Sequence, residues 1–202
     1  FLKIVCSIQS FMIKNKSIFE QILTIKMNDM ENLPDNFNIL IITISDRAST
    51  GEYEDLSGPE IKNTIDKHFE KTKWNYHIDC MIIPDSEAEL IKIMMSEKES
   101  RNIIITTGGT GVGSNDITID VIKPMLSKEI PGIMDMIRMK YGEKNPNALL
   151  SRSIAGIIGK SLIYTLPGSK KAVNEYMSEI VKTLNHVIYM QYDVDVHQHG
   201  KK

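Results

Sequence analysis

The apolar run Asn102-Ile-Ile-Ile-Thr106 passes almost directly into Gly108-Gly-Thr-Gly-Val-Gly-Ser-Asn-Asp116, so a buried strand must end in a glycine-rich loop. The carboxyl ends of strands are where open α/β sheets bind ligands. Glycines let successive backbone N–H groups turn toward one point and let a ligand come close, so phosphate can be held without a basic side chain. Asp116 closes the loop with a carboxylate able to recruit a divalent cation. Glycine content alone also suits a tight strand-to-helix turn that holds nothing.

Two familiar phosphate motifs are excluded. Gly108 and Gly113 have the separation of a P-loop's glycines, but Ser114 and Asn115 stand where Lys and Ser/Thr are needed. Gly109, Gly111 and Gly113 fall at every second position, which breaks the dinucleotide spacing.

The rest of the chain supplies the sheet that such a loop requires. Phe37 to Ile44 reads as the first strong strand, and Ser57-Gly-Pro-Glu60 as a capping box with proline in the first turn of a helix. Ile61, Ile65, His68 and Phe69 then recur at helical spacing. Trp74 to Ile83 reads as a second strand, and Pro84-Asp85-Ser86 ends it and caps a helix bearing Leu90, Ile93 and Met94. Asn102 to Thr106 is the third, followed by the glycine loop and a helix through Ile122 and Leu126. Three successive β-then-α units predict a doubly wound parallel sheet. Ile130-Pro-Gly132 opens another helical stretch. Ser153 to Ile158 and Ser161 to Leu166 flank Gly159-Lys160, the length of a tight hairpin turn, so a late antiparallel pair makes the sheet mixed. Pro167-Gly-Ser-Lys-Lys171 leads into a last amphipathic helix.

Composition narrows the function classes. With 202 residues, 42% of them apolar, the chain has enough to bury one core without metal or disulfide staples. A net charge of −2 carries none of the basic footprint of a nucleic-acid binder, and no apolar stretch is long enough for a membrane span. Cys6 and Cys80 form no ligand pattern, so a reducing compartment is expected. Residues 1–36 read as an extension and linker, disordered or organelle-targeting, with Met27 an alternative start; residues 37–192 form the domain, and 193–202 a flexible tail.

Four corners after predicted strands then stand out: Ser45 to Ser49, Pro84-Asp85, Thr107 to Asp116, and Leu166 to Ser169. Those ending parallel strands should meet at one sheet edge, a mixture of backbone donors, hydroxyls and carboxylates that suits phosphate with magnesium. As ordered pieces, Ile44-Ser-Asp-Arg-Ala-Ser49, Asp55-Leu-Ser-Gly-Pro59, Ile83-Pro-Asp85, Thr106-Thr-Gly-Gly-Thr-Gly111, Asp116-Ile-Thr118, Ile130-Pro-Gly132, Leu150-Ser-Arg-Ser153 and Leu166-Pro-Gly-Ser-Lys-Lys-Ala172 resemble a known family. It is the family of molybdopterin-binding proteins that includes molybdopterin adenylyltransferases and the amino-terminal domain of gephyrin.

The resemblance implies a three-layer α/β/α domain and a reaction in molybdenum cofactor biosynthesis. In it, the phosphate of molybdopterin takes AMP from ATP, with Mg2+, and pyrophosphate leaves. It implies Asp85 and Asp116 as catalytic and metal-binding residues. Ser45, Asp46, Ser57, Gly58, Thr107, Gly108, Gly109, Thr110, Gly111, Thr118, Ser151, Ser153, Pro167, Gly168, Ser169 and Lys170 are implied to bind molybdopterin or nucleotide. A cytoplasmic homotrimer is implied, with a molybdenum-insertion protein as partner and neither nucleic acid nor membrane as ligand. Without the resemblance, Asp85 equally suits a helix cap, and Asp46 and Arg47 a loop-pinning pair. The chain departs from the family pattern where Asn115 replaces an Arg and Ile119-Asp120 a Pro-Glu. Lys123 would compensate for the lost guanidinium if its helix faces the cleft. These departures favour a rival reading, a pterin-binding module without catalysis.

Overall fold

The computed structural model describes residues 32–194; expectations for the extension before residue 32 and the tail after 194 lie outside the described residues. The chain divides into two compact units, one of residues 35–184, which holds the whole sheet. Of the other unit the described residues are 32–34 and 185–194, the latter a helical end closed by Tyr192 N–H to Ile188 O at 3.0 Å.

The element order is β1 (Phe37–Ile44), α1 (Asp46–Ser49), α2 (Ser57–Thr72), β2 (Tyr76–Ile83), α3 (Glu87–Glu97), β3 (Ile103–Thr107) and α4 (Thr118–Ile122). A 3-10 turn (Lys123–Met125), β4 (Lys128–Glu129), α5 (Pro131–Gly142), a second 3-10 turn (Pro146–Leu150), β5 (Ala155–Ile158), β6 (Ser161–Leu166) and α6 (Lys170–Gln191) follow. The sheet order is β2-β1-β3-β6-β5-β4, parallel except where β5 pairs antiparallel with β4 and β6.

The central strands are apolar because both their faces are covered. All but one residue of β1 and every residue of β3 and β6 are buried. Each such isoleucine contributes roughly 1.5–3 kcal/mol relative to exposure. Leu40, Ile42 and Ile44 of β1 pack with Leu90 and Met94 of α3 and with Val121 and Ile122 of α4. The alternate residue Phe37 faces the other way, where its ring lies 5.4 Å from Phe69 of α2 and 5.1 Å from Trp74. Helices therefore cover both faces.

Strand bounds shift, and the strand expected from Ser153 begins at Ala155. Trp74 leaves β2, which starts at Tyr76, because its ring is taken up by Phe37 and Phe69. Strand β4 is illegible in the sequence: it is two exposed charged residues held by β5, with no apolar periodicity to read. Among the described residues no helix is long and apolar enough to cross a membrane.

The chain enters at β1, steps outward to β2, then crosses back over β1 to β3. Outward and return crossovers thus diverge at the carboxyl ends of β1 and β3, a topological switch point. Register levels the four parallel ends: Ile44 pairs with Ile83, Thr43 with Thr107, and Thr107 with Leu166. Since β5 runs antiparallel and begins at Ala155 opposite Tyr164, the residues before β5 arrive at this same edge.

Candidate active site at the sheet edge

The glycine loop springs from the end of β3 under tight constraint. Gly108 has φ +102° and Gly109 φ +61°, and a methyl group on Gly108 would stand 2.2 Å from Ile44 O. Only glycine satisfies both the dihedral and the approach. Gly108 N–H donates to Leu166 O at 3.0 Å, so the loop base is stitched to the end of β6. Thr107 Oγ1 donates to Pro167 O at 2.8 Å, and Thr118 Oγ1 donates to Gly108 O at 2.8 Å. Gly168 lies against the same spot, where an added methyl would be 3.3 Å from Gly108 Cα. Pro167 and Gly168 thus seat the loop's base, and Ser169 turns to α6, its Oγ accepting from Ala172 N–H at 3.2 Å.

Ser57 does not close a capping box. Its hydroxyl donates to Gly168 O at 2.7 Å, and the cap of α2 is Asp55, whose Oδ1 accepts from Ser57 N–H at 2.9 Å and Gly58 N–H at 3.0 Å. Asp55 Oδ2 also accepts from Thr43 Oγ1 at 2.7 Å, which ties this cap to β1. A methyl on Gly58 would stand 2.5 Å from that carboxylate oxygen. Asp and Ser both suit a helix start, so the order of residues favours the hydroxyl nearer the helix while the fold uses the carboxylate two places before it. Lys170, at the start of α6, faces Glu60 of α2 at 3.5 Å.

The loop lines one cleft, and residues that hydrogen-bond to it line a second. The first, about 550 Å³, lies at the switch point and brings together Ser45, Asp46 and Arg47 after β1, Asp85 after β2, and Gly109, Gly113, Ser114, Asn115 and Asp116. Asp46 and Asp85 hold each other reciprocally: Asp46 N–H donates to Asp85 Oδ2 at 3.0 Å, and Asp85 N–H to Asp46 Oδ1 at 2.9 Å. Asp85 is therefore not the cap of α3; that is Ser86, whose Oγ accepts from Glu89 N–H at 3.4 Å. Nor does Asp46 pair with Arg47. Asp116 Oδ2 accepts from Gly113 N–H at 2.8 Å, folding the loop back on itself. Ser45 caps α1, its Oγ accepting from Ala48 N–H at 3.3 Å.

The second cleft, about 590 Å³, is lined by Asp120, Lys123, Arg138, Ser151, Arg152, Ser153 and their neighbours. Thr110 Oγ1 lies 3.5 Å from Ser151 Oγ, which lies 2.9 Å from Ser153 Oγ, so a line of hydroxyls runs from the glycine loop to the start of β5. Arg138 of α5 donates to Ser151 O at 3.3 Å and Ser153 O at 2.8 Å. Arg152 reaches furthest along the loop. Its N–H donates to Thr110 O at 2.8 Å, its Nε to Gly111 O at 2.6 Å, and Nη2 to Asp116 O at 2.7 Å. Its fork also grips Asp120, with Nη1–Oδ1 at 2.7 Å and Nη2–Oδ2 at 3.0 Å, and holds the Asp120 carboxyl below its usual range. Reading Ser-Arg-Ser for its hydroxyls passes over the residue that spans the loop. Lys123 answers Glu129 at 3.8 Å in the second cleft, so it does not stand in for the missing guanidinium beside Asp116.

The arrangement offers three carboxylates beside the glycine loop in one cleft, and hydroxyls with two arginines in the other. Residues 40–186 match the family described as "Probable molybdopterin binding domain". The chain is 35% identical over 151 residues to a molybdopterin adenylyltransferase of Helicobacter pylori, covering 75% of this chain and 85% of that one. It is 36% identical over 161 residues to a Pyrococcus furiosus protein of the same name, covering 77% and 91%. The crystal structure of the tungsten cofactor synthesizing protein MoaB from Pyrococcus furiosus superposes with a TM-score of 0.66 at 33% identity, covering 79% of this chain and 99% of that one. A family match that runs from β1 into α6, over residues 40–186, means that this chain belongs to the molybdopterin-binding domain family.

Proposed function

We propose that the chain is a molybdopterin adenylyltransferase of molybdenum cofactor biosynthesis. An oxygen of the molybdopterin phosphate attacks the α-phosphorus of ATP; the bond from that phosphorus to the oxygen bridging to the β-phosphorus breaks, and pyrophosphate leaves with the electron pair. The observation that carries this reading is a glycine loop that lines one cleft and is hydrogen-bonded by Ser151 and Arg152 of a second, unlike cleft, so that two reactants would sit on either side of it. The nucleotide is assigned to the acidic cleft and the pterin to the cleft of Ser151 and Ser153. Such a reaction needs charge neutralisation and alignment more than covalent help from the protein.

Magnesium fits this donor set in one form. Asp85 and Asp116 each spend Oδ2 on a backbone N–H, which leaves Oδ1 without a hydrogen bond among the described residues. Among those residues no three His, Cys, Asp or Glu side chains form a ready cage. Mg2+ is commonly held by one or two carboxylates with substrate oxygens and water, and Asp85 and Asp116 would supply that share. Bound there, it would neutralise part of the triphosphate charge. The loop's backbone donors, braced by Thr107, Thr118 and Arg152, would hold phosphate oxygens in line.

The test is to incubate the protein with molybdopterin and Mg-ATP and to assay adenylylated pterin and pyrophosphate. We expect both, and Asp116→Asn should abolish turnover while molybdopterin stays bound; unchanged turnover removes Asp116 from the reaction. The uncharged Asn115 in the acidic cleft favours a second reading, a carrier that binds molybdopterin without transfer. Binding without product would select it. We also propose assembly as a homotrimer, checked by sedimentation.

A further inference from the structure

The cations around the glycine loop differ in whether their charge is already answered. Arg152 gives its donors to Gly111 O, Asp116 O and both oxygens of Asp120. Arg138 gives its donors to Asp135, Ser151 O and Ser153 O. Lys123 faces Glu129 at 3.8 Å and Lys170 faces Glu60 at 3.5 Å. Arg47 is different.

Arg47 lines the acidic cleft beside Asp46, Asp85 and Asp116 and is its only lysine or arginine, yet among the described residues it makes no ion pair. The carboxylates are turned to backbone donors instead: Asp46 and Asp85 to each other's N–H, and Asp116 to Gly113 N–H. The Arg47 guanidinium rests on the ring of Tyr53, its Cζ 5.6 Å from the centroid. Tyr53 is itself tethered, its N–H donating to Arg47 O at 3.1 Å, and the residue is 52% exposed. A cation on an exposed ring face is held weakly and leaves its planar fork of donors unspent, whereas phosphate oxygens match that fork two at a time. No other side chain of this cleft offers a positive charge; Asn115 is neutral and accepts from Ser114 Oγ at 3.4 Å.

We propose that Arg47 is the phosphate-binding cation of the acidic cleft, parked on Tyr53 and released to the phosphate oxygens of an entering nucleoside triphosphate. Tyr53 is then a holder that keeps the guanidinium off the three carboxylates. This rests on reading the acidic cleft as the nucleotide side, and it adds a residue that this reading did not contain.

The experiment uses the full chain and inorganic tripolyphosphate with Mg2+ as the probe, titrated by calorimetry at low and high salt. We expect Arg47→Ala to weaken binding by roughly 10- to 100-fold, the range for one charge-assisted contact. The salt dependence should flatten with it. Arg47→Lys should recover only part, since an ammonium is a point charge and not a fork. Asn115→Arg in the Arg47→Ala background should restore affinity, because position 115 lines the same cleft. Molybdopterin binding should not change. Tripolyphosphate bound by Arg47→Ala as tightly as by the wild type, no binding by the wild type, or an equal loss of molybdopterin would each overturn the proposal. Should Arg47→Ala fail to fold, Arg47→Lys and Arg47→Gln carry the same comparison. A wild type that binds tripolyphosphate through Arg47 but forms no adenylylated pterin would refute the transferase reading and leave this one standing.

Discussion

Replacing Arg152 with alanine isolates the clamp on the glycine loop. The change removes the donors to Gly111 O at 2.6 Å and Asp116 O at 2.7 Å, while the backbone bond from residue 152 to Thr110 O remains. Hydrogen bonds from a charged donor contribute about 1.5–3 kcal/mol each. With the Arg152 side chain 32% exposed the lower end applies, so the two carbonyl contacts together amount to about 3 kcal/mol. The pair with Asp120 adds little, since that side chain is 62% exposed. A surface loop can loosen while the sheet stays closed, so only part of this should appear in global unfolding, a fall in melting temperature of roughly 3–6 °C. The function should suffer more. If the loop must be ordered before phosphate is aligned, about 3 kcal/mol corresponds to a loss of roughly 100-fold in kcat/KM for molybdopterin adenylylation. Arg152→Lys keeps the charge without the fork and should recover less than about tenfold of that. Turnover and amide hydrogen exchange of residues 109–116 are the assays. Wild-type kcat/KM with unchanged protection in Arg152→Ala would refute the clamp.

Three further outcomes follow from local geometry. Gly108→Ala places a methyl 2.2 Å from Ile44 O at φ +102°, and should cost about 3 kcal/mol or more, a fall of roughly 5–10 °C in melting temperature. Gly132→Ala meets nothing within 4 Å and should be neutral or slightly stabilising, so equal losses in the two would contradict this account. Glu179 of α6, its side chain 5% exposed, accepts from Lys140 and Lys182, and these bonds lower its pKa from 4.5 to about 2. Because the folded value lies below the unfolded one, the stabilisation is present above pH 4.5 and lost as pH falls toward 2. It is on the order of 3 kcal/mol at most, less for screening around the half-exposed lysines. Urea midpoints of Glu179→Gln should therefore change less between pH 4.5 and 2 than those of the wild type; parallel curves would exclude this role.

Much of the edge is legible in the order of residues, and the reason differs from one to the next. Gly108 and Asp116 are legible as the two ends of the loop after β3, because an apolar run that passes into a glycine series marks a strand end. Asp85 is visible as a corner residue, but its bond to Asp46 N–H joins positions 39 residues apart, which nothing local predicts. Arg152 sits inside a recognisable motif and still escapes notice, because arginine in a loop reads as a solvated charge until its partners are known. Asp55 is hidden for the opposite reason: Ser57, a sound capping residue, stands closer to the helix. The hydroxyls of Thr107 and Thr118 read as ligand groups, and the fold commits both to backbone carbonyls.

Taken by itself, the chain determined the succession of strands and helices, the mixed sheet and the placement of glycines at a strand end. Those properties rest on periodicity and on backbone freedom, which neighbouring residues set. Tertiary structure decided which remote segments meet at that edge. Strand order, and the reversal of β5 in particular, carries Ser151, Arg152 and Ser153 to the loop after β3. It also decided which polar groups brace the loop and which face the clefts, because a hydrogen-bond partner is chosen by distance in space.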